Sequence, residues 1–251
     1  MSCANRGGEA PAGRPVRASL AESLELYAVT DRRWLGEGET LADRVAKAID
    51  GGATCVQLRE KHASRDELLA LASEVGAVCV ARGVPFYVDD DVEVALLANA
   101  DGVHVGQDDE DAAEVRRRIG PDKILGVSAQ TVEQALAAEA AGADYLGVGA
   151  VFSTSTKTDA VEVPPETLRA ICSAVSIPVV SIGGIGRDNL LELSGSGVAG
   201  VALVSAIFAA DDTEAACREL RGLTARMLRG SDGPDDACCA DGSDGLDEHN
   251  R

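Results

Sequence analysis

Residues 53–88 read ATCVQLREKHASRDELLALASEVGAVCVARGVPFYV and contain one whole architectural repeat. A short apolar run, Ala53 to Leu58, is followed by Leu68, Leu71, Ala72, Val75 and Cys79 at helical spacing, and a second run spans Pro85 to Val88. Ser64 stands where a helix N-cap belongs and Gly83 where that helix should stop. The two runs are nearly continuous in apolar residues, as strands are when helices cover both faces of a parallel sheet.

The same alternation extends in both directions. Further β-rich runs lie at Leu24 to Thr30, Gly102 to Val105, Ile124 to Ser128, Tyr145 to Val151, Ile177 to Ile182 and Gly200 to Val204, which makes eight in all. Each is followed by a stretch with helical spacing, of which Leu41, Val45, Ala48 and Ile49 are an example. Thr131 and Pro164-Pro165 mark helix starts, and Gly51, Gly120 and Gly142 mark helix ends. Eight such units within residues 23–229 predict a single-domain α/β protein, a (β/α)8 or TIM barrel. A doubly wound open sheet is the competing arrangement, but no GxGxxG follows the first run.

The flanks differ from the repeats. Residues 1–22 are rich in Gly, Pro, Ala and Arg, and residues 230–251 (GSDGPDDACCADGSDGLDEHNR) hold seven acidic residues against one Arg, so both are expected to be disordered tails. No apolar run reaches the roughly 18 residues of a membrane span, and Arg6, Arg14 and Arg17 do not lead into a signal core. The seven cysteines show no CxxC pair, which suggests neither a disulfide framework nor a zinc site and makes a reducing cytoplasm the expected location. With 23 basic and 42 acidic residues the net charge is −19, which argues against nucleic acid or an anionic membrane as partner. Only four basic residues are lysines (Lys47, Lys61, Lys123 and Lys157) against 19 arginines. That profile resembles a halophile's soluble protein, although a GC-rich genome produces the same arginine excess.

In a (β/α)8 barrel the reactive groups sit where the strands end. After the second run, Gln57, Arg59 and Lys61 share one face by period-two alternation while Leu58 and Glu60 take the other. The third run ends in Asp89, Asp90 and Asp91, the fourth in His104-Val105-Gly106-Gln107-Asp108-Asp109, and the fifth in Ser128. Beyond the sixth, Ser153 to Thr158 set hydroxyls around Lys157. Gly183-Gly184 and Val204-Ser205 stand where such barrels bind a phosphate through backbone N–H groups.

Taken singly, each feature has a plainer reading: a surface ion-pair network at Arg59 to Lys61, a helix cap at Asp89 to Asp91, a turn at the glycine pair. Their joint placement on one rim points to two phosphorylated small molecules. One is a diphosphate held by Arg59, Lys61, Lys157 and Mg2+, the metal resting on carboxylates at the ends of the third and fourth strands. The other is a monophosphate at Gly184 and Ser205. His104 reads as structural, since no carboxylate at strand or helical spacing orients it as a base.

The chain resembles the thiamine-phosphate synthase family from about Leu26 to Ala209. The resemblance lies in YAVTD (27–31), QLREK (57–61), DDDVEVAL (89–96), DGVHVGQDD (101–109), GVSAQT (126–131), ADYLGVGAVFSTSTKTDA (143–160), IPVVSIGGI (177–185) and VALVSAI (201–207). It implies a barrel that joins 4-amino-2-methyl-5-(diphosphooxymethyl)pyrimidine to 4-methyl-5-(2-phosphoethyl)thiazole, giving thiamine phosphate and diphosphate. By matching positions, Gln57, Arg59, Lys61, Ser128 and Lys157 hold the pyrimidine diphosphate, with Lys157, Arg59 and Ser128 closest to the chemistry. Asp90 and Asp109 bind Mg2+. Thr154, Thr156, Gly184, Val204 and Ser205 hold the thiazole phosphate. The family commonly has Asn-Asp where this chain has Asp89-Asp90, so Asp89 places an extra carboxylate beside the diphosphate.

Three alternatives stay open on the sequence. A thiazole tautomerase is a similar barrel that uses a His near the position of Gln130 here. A Schiff-base aldolase would use Lys157. A non-catalytic phosphate-sensing barrel would use the acidic tail as its interaction arm.

Overall fold

The computed structural model describes residues 17–153 and 162–230. The first half of the chain forms α1 (Arg17–Ser23), β1 (Leu26–Val29), α2 (Leu41–Asp50), β2 (Cys55–Leu58), α3 (Arg65–Arg82), β3 (Phe86–Asp89), α4 (Val92–Leu97) and β4 (Gly102–Val105). The second half forms α5 (Ala112–Ile119), β5 (Ile124–Ala129), α6 (Val132–Ala140), β6 (Tyr145–Val148), α7 (Pro165–Ala174), β7 (Val179–Ile182), β8 (Gly200–Leu203), α8 (Ser205–Phe208) and α9 (Thr213–Arg229). All neighbouring strands pair in parallel and in chain order, and β1 pairs with β8 to close the barrel. The (β/α)8 expectation holds and the open sheet is excluded.

Local signals set most boundaries. The Ser64 hydroxyl accepts from Glu67 N–H and the Thr131 hydroxyl from Gln134 N–H, which starts α3 and α6 where the sequence placed them. Gly83 ends α3 in the left-handed region at φ 66°, a conformation that favours a residue without Cβ. Gly142 falls one residue beyond its expected place, because Ala141 is the C-cap of α6.

Three expectations are corrected. The sixth apolar run was expected to reach Val151, but β6 stops at Val148 and Val151 N–H turns to Ile182 O instead. After β7 there is no α-helix: Leu190–Leu193 form a 3-10 turn, in a glycine- and serine-rich stretch too short to propagate a helix. The tail expected over residues 1–22 is helical from Arg17, and Leu20 is buried with Leu24, Tyr27 and Ile124 at the N-terminal end of the barrel. The expected disorder of residues 1–16 and 231–251 lies outside the described residues. No helix among the described residues is long and apolar enough to cross a membrane.

Strand alternation divides the core in two. Leu26, Ala28, Val56, Leu58, Val88, Val103 and Leu146 face the helices, while Tyr27, Val29, Cys55, Tyr87, Tyr145, Val180 and Ala202 fill the barrel. All three tyrosines of the chain are in that interior, with ring centroids 5.6 to 6.0 Å apart. They form an apolar floor that also carries hydroxyls.

Candidate active site

At the end of β2 the alternation continues into the loop. Gln57, Arg59 and Lys61 line a cleft at the C-terminal mouth of the barrel, while Glu60 faces away and pairs with Arg32 at 2.7 Å. Burial pushes the Glu60 carboxyl up against the pull of Arg32. Arg59 Nε lies 3.4 Å and Lys61 Nζ 3.8 Å from Asp89, and Lys61 also contacts Asp90.

The three consecutive aspartates have three different tasks. Asp91 caps α4, its carboxylate accepting from Val94 N–H at 3.0 Å. Asp90 sits at φ 62°, and the Asp91 N–H to Asp89 O bond of 2.8 Å across it makes a γ-turn, a strained arrangement for a residue with a side chain. Asp90 N–H is held by His104 O at 2.8 Å, so β4 maintains the turn that aims the carboxylate at the rim. Asp89 packs beside Arg59 and Lys61, with its side chain 9% exposed. Burial, and then the Asp90 charge, push its carboxyl up to about 7 against those two cations.

Asp109 reaches Asp90 from the β4 loop. Its carboxylate accepts from Gly106 N–H at 2.7 Å, and the two carboxyl groups hydrogen-bond to each other. Burial and that contact raise the Asp90 pKa, while for Asp109 the hydrogen bonds from Asp90 and Gly106 outweigh burial and lower it. Two carboxylates this close are poised for a cation between them. The donors are oxygen only, and among the described residues no cluster of three or more His, Cys, Asp or Glu forms a closed cage. Such a set fits Mg2+, which takes one or two carboxylates and completes its shell with water or substrate oxygens.

Ser128 lines the opposite wall, where its carbonyl accepts from Gln107 Nε2 at 2.6 Å and its hydroxyl contacts His104 Nε2 at 3.0 Å. His104, read from the sequence as structural, has partners in the structure that no local spacing showed. His104 lines the cleft, bonds Tyr145 Oη through Nδ1 at 3.0 Å, and is kept neutral by burial, which lowers its pKa to about 4. Its partner is a phenol two strands away rather than a carboxylate at strand or helical spacing. The signal was present in the alternation of β6, where Tyr145 and Gly147 share the inward face.

On the far side Gly183 and Gly184 take φ 97° and 67°. A Cβ on Gly184 would lie 2.4 Å from Ser153 O and 2.7 Å from Phe152 O, so close approach of the β6 and β7 loops requires glycine there. Val204 precedes α8, whose first backbone bonds run from Ile207 and Phe208 N–H to Val204 O. The N–H groups of Ser205 and Ala206 stand ahead of those bonds. Thr154, Thr156 and Lys157, expected at this rim, lie outside the described residues.

One cleft of about 260 Å³ joins these groups, with Arg59, Lys61, Asp89, Asp90 and Asp109 on one side, Gly184, Val204 and Ser205 on another, and Ser128 across from the β2 cations. A more open groove of about 500 Å³ adjoins it at Gly184 and Ser205. The arrangement offers a cationic and carboxylate wall facing a glycine-lined wall, suited to two anionic ligands meeting over the tyrosine floor.

Residues 26–207 match the family described as thiamine monophosphate synthase. The chain belongs to that family. It is 50% identical over 195 residues to a thiamine-phosphate synthase of Ruminiclostridium cellulolyticum, covering 78% of this chain and 92% of the relative. It is also 50% identical over 199 residues to that of Chloroflexus aurantiacus, covering 79% and 91%. Among solved structures, thiamine phosphate pyrophosphorylase from Pyrococcus furiosus superposes with a TM-score of 0.77 at 40% identity, over 83% of this chain and 99% of that one. The matched span takes in every strand and the whole cleft of this thiamine monophosphate synthase family member.

Proposed function

We propose that this protein is a Mg2+-dependent transferase that condenses 4-amino-2-methyl-5-(diphosphooxymethyl)pyrimidine with 4-methyl-5-(2-phosphoethyl)thiazole, giving thiamine phosphate and diphosphate in the cytoplasm. The observation that carries this reading is the single cleft in which Arg59, Lys61 and the Asp90–Asp109 pair face Gly184 and Ser205. The C–O bond between the pyrimidine methylene and the diphosphate breaks, its electron pair leaves on the diphosphate, and the thiazole nitrogen donates the pair that forms the new C–N bond. No protein nucleophile is required, so the side chains position both partners and stabilise departing negative charge.

In this reaction Arg59 and Lys61 draw the diphosphate to the β2 side, and Lys157 supplies a further cation from the β6 loop. Asp90 and Asp109 would hold Mg2+, which would supply positive charge to the departing diphosphate. Gln57 and Ser128 orient the pyrimidine from opposite walls. Thr154, Thr156, Gly184, Val204 and Ser205 hold the thiazole phosphate so that its ring lies over the cleft. Gln130 donates through Nε2 to Gly149 O at 3.2 Å, and an amide does not exchange protons as the histidine of a tautomerase does, which favours condensation over tautomerisation.

Incubating the full chain with both substrates and Mg2+, and then with either substrate omitted, tests the proposal. Thiamine phosphate is expected only when both are present. Turnover of the thiazole phosphate alone would favour the tautomerase.

A further inference from the structure

A line of hydrogen bonds crosses the barrel interior from Gln57 to Ser128. Gln57 Nε2 donates to Tyr27 Oη at 3.0 Å, Tyr27 Oη meets Tyr145 Oη at 2.8 Å, Tyr145 Oη meets His104 Nδ1 at 3.0 Å, and His104 Nε2 meets Ser128 Oγ at 3.0 Å. The strands are built to let it form. His104, Gly126 and Tyr145 occupy one register row on β4, β5 and β6. A Cβ on Gly126 would lie 2.4 Å from Tyr145 Oη and 2.5 Å from His104 Nδ1, so glycine in the middle is what allows the outer two side chains to meet. A Cβ on Gly147, on the neighbouring strand, would lie 3.0 Å from His104 Cε1, a tight approach to the same ring.

Counting protons gives the line a direction. Each tyrosine hydroxyl has one proton to donate. Among the hydrogen bonds of this line Tyr145 Oη is the one acceptor left for the Tyr27 proton, and His104 Nδ1 the one left for the Tyr145 proton, so Tyr27 gives to Tyr145 and Tyr145 to His104 Nδ1. His104 therefore carries its proton on Nε2 and donates to Ser128 Oγ, which leaves the Ser128 proton for the cleft that this residue lines.

We propose that His104, with its tautomer fixed by Tyr145 and Tyr27, is a positioning residue that holds the Ser128 hydroxyl as a donor toward an acceptor atom of the pyrimidine substrate. This rests on the reading of Ser128 as a substrate contact. It assigns a function to the interior tyrosines beyond filling the barrel, and it explains why a phenol pair rather than an aliphatic pair occupies Tyr27 and Tyr145.

The test combines two measurements on the full chain. Two-bond 1H–15N correlation of the imidazoles, in a chain with only three histidines, reads the tautomer directly, and the account expects Nε2–H for His104. Steady-state kcat/KM for the pyrimidine diphosphate is then measured for Tyr145→Phe, Ser128→Ala and the double variant. Tyr145→Phe is expected to lose about tenfold, the worth of one hydrogen bond, and to lose nothing further once Ser128 is alanine. An Nδ1–H tautomer, a kinetically silent Tyr145→Phe, or losses that multiply in the double variant would overturn the proposal while leaving Ser128 as a contact. A Ser128→Ala enzyme with unchanged kcat/KM would overturn the contact itself and the proposal with it.

Discussion

His104 on β4 and Tyr145 on β6 hydrogen-bond at 3.0 Å across the intervening strand, above the missing side chain of Gly126. A Cβ there would come within 2.2 Å of Tyr145 Cζ, and Tyr145 is fully buried. Gly126→Ala is therefore expected to destabilise the barrel by about 1–3 kcal/mol, as overpacking does. It should also lower kcat/KM by displacing His104 from Ser128. Urea melts with parallel kinetics check this. A variant of wild-type stability and rate would show that the interior is looser than the register implies.

The same histidine gives the protein a pH signature. Burial holds its pKa at about 4, below the 6.5 of an unfolded histidine, so between those values the unfolded chain binds more protons and stability falls as pH falls. The loss begins near pH 6.5 and amounts to at most about 3 kcal/mol by pH 4. Asp109 and Lys61 act on it from the rim with opposite signs. Asp89 works the other way: its carboxyl is raised to about 7, so its contribution is present at low pH and is lost as pH rises toward 7. The wild type alone therefore shows a blunted profile. The difference in melting temperature between wild type and His104→Asn, followed from pH 8 to pH 4.5, isolates the histidine and should shift in favour of the variant below pH 6.5.

The carboxylates separate by variant. Asp90→Ala and Asp109→Ala should each raise the Mg2+ concentration needed for half-maximal rate, since both are assigned to one ion shared with the diphosphate. Asp89→Asn should do the reverse of harm. It removes a buried carboxylate 3.4 Å from Arg59 and frees that cation for the diphosphate, so KM for the pyrimidine diphosphate is expected to stay level or fall. A large loss would give Asp89 a separate role. Full activity in excess chelator would remove the metal from the account.

How far the residues announced all this depends on which interaction fixed each one. Eight apolar runs separated by capped helices were legible because strand burial and capping are local, and the alternation of Gln57, Arg59 and Lys61 against Glu60 carried straight through to the cleft. The division of labour among Asp89, Asp90 and Asp91 was not legible. It depends on a γ-turn tied to β4 by one bond to His104 O. Nor was His104 itself, whose partners lie 41 and 24 residues away and meet it only after closure of the barrel. The start of α1 was hidden for a different reason: Leu20 is the one leucine in a Gly-, Ala- and Arg-rich flank, and its value comes from the open barrel end it covers.

Composition leads to a prediction about salt. Residues 23–230 hold 19 basic against 33 acidic residues, so the folded barrel itself bears net −14, apart from the tail. Repulsion among surface carboxylates acts over about 10 Å at 0.1 M salt and about 3 Å at 1 M. Stability should rise with KCl, while the affinity for the diphosphate falls only modestly because Arg59 and Lys61 act at contact distance. Thermal melts from 0.1 to 3 M KCl check it. An unchanged midpoint, both in the whole chain and with residues 231–251 removed, would leave the arginine excess to genome composition.

The most direct test of the central claim is a 31P NMR time course of the purified full chain with the pyrimidine diphosphate, the thiazole phosphate and Mg2+ in one tube. The account predicts that the pyrimidine diphosphate and thiazole phosphate signals decline together while thiamine phosphate and free diphosphate grow in equal amounts. It also predicts that nothing changes when the thiazole phosphate is left out. Diphosphate released without thiamine phosphate, or thiazole phosphate altered while the pyrimidine diphosphate persists, would contradict it.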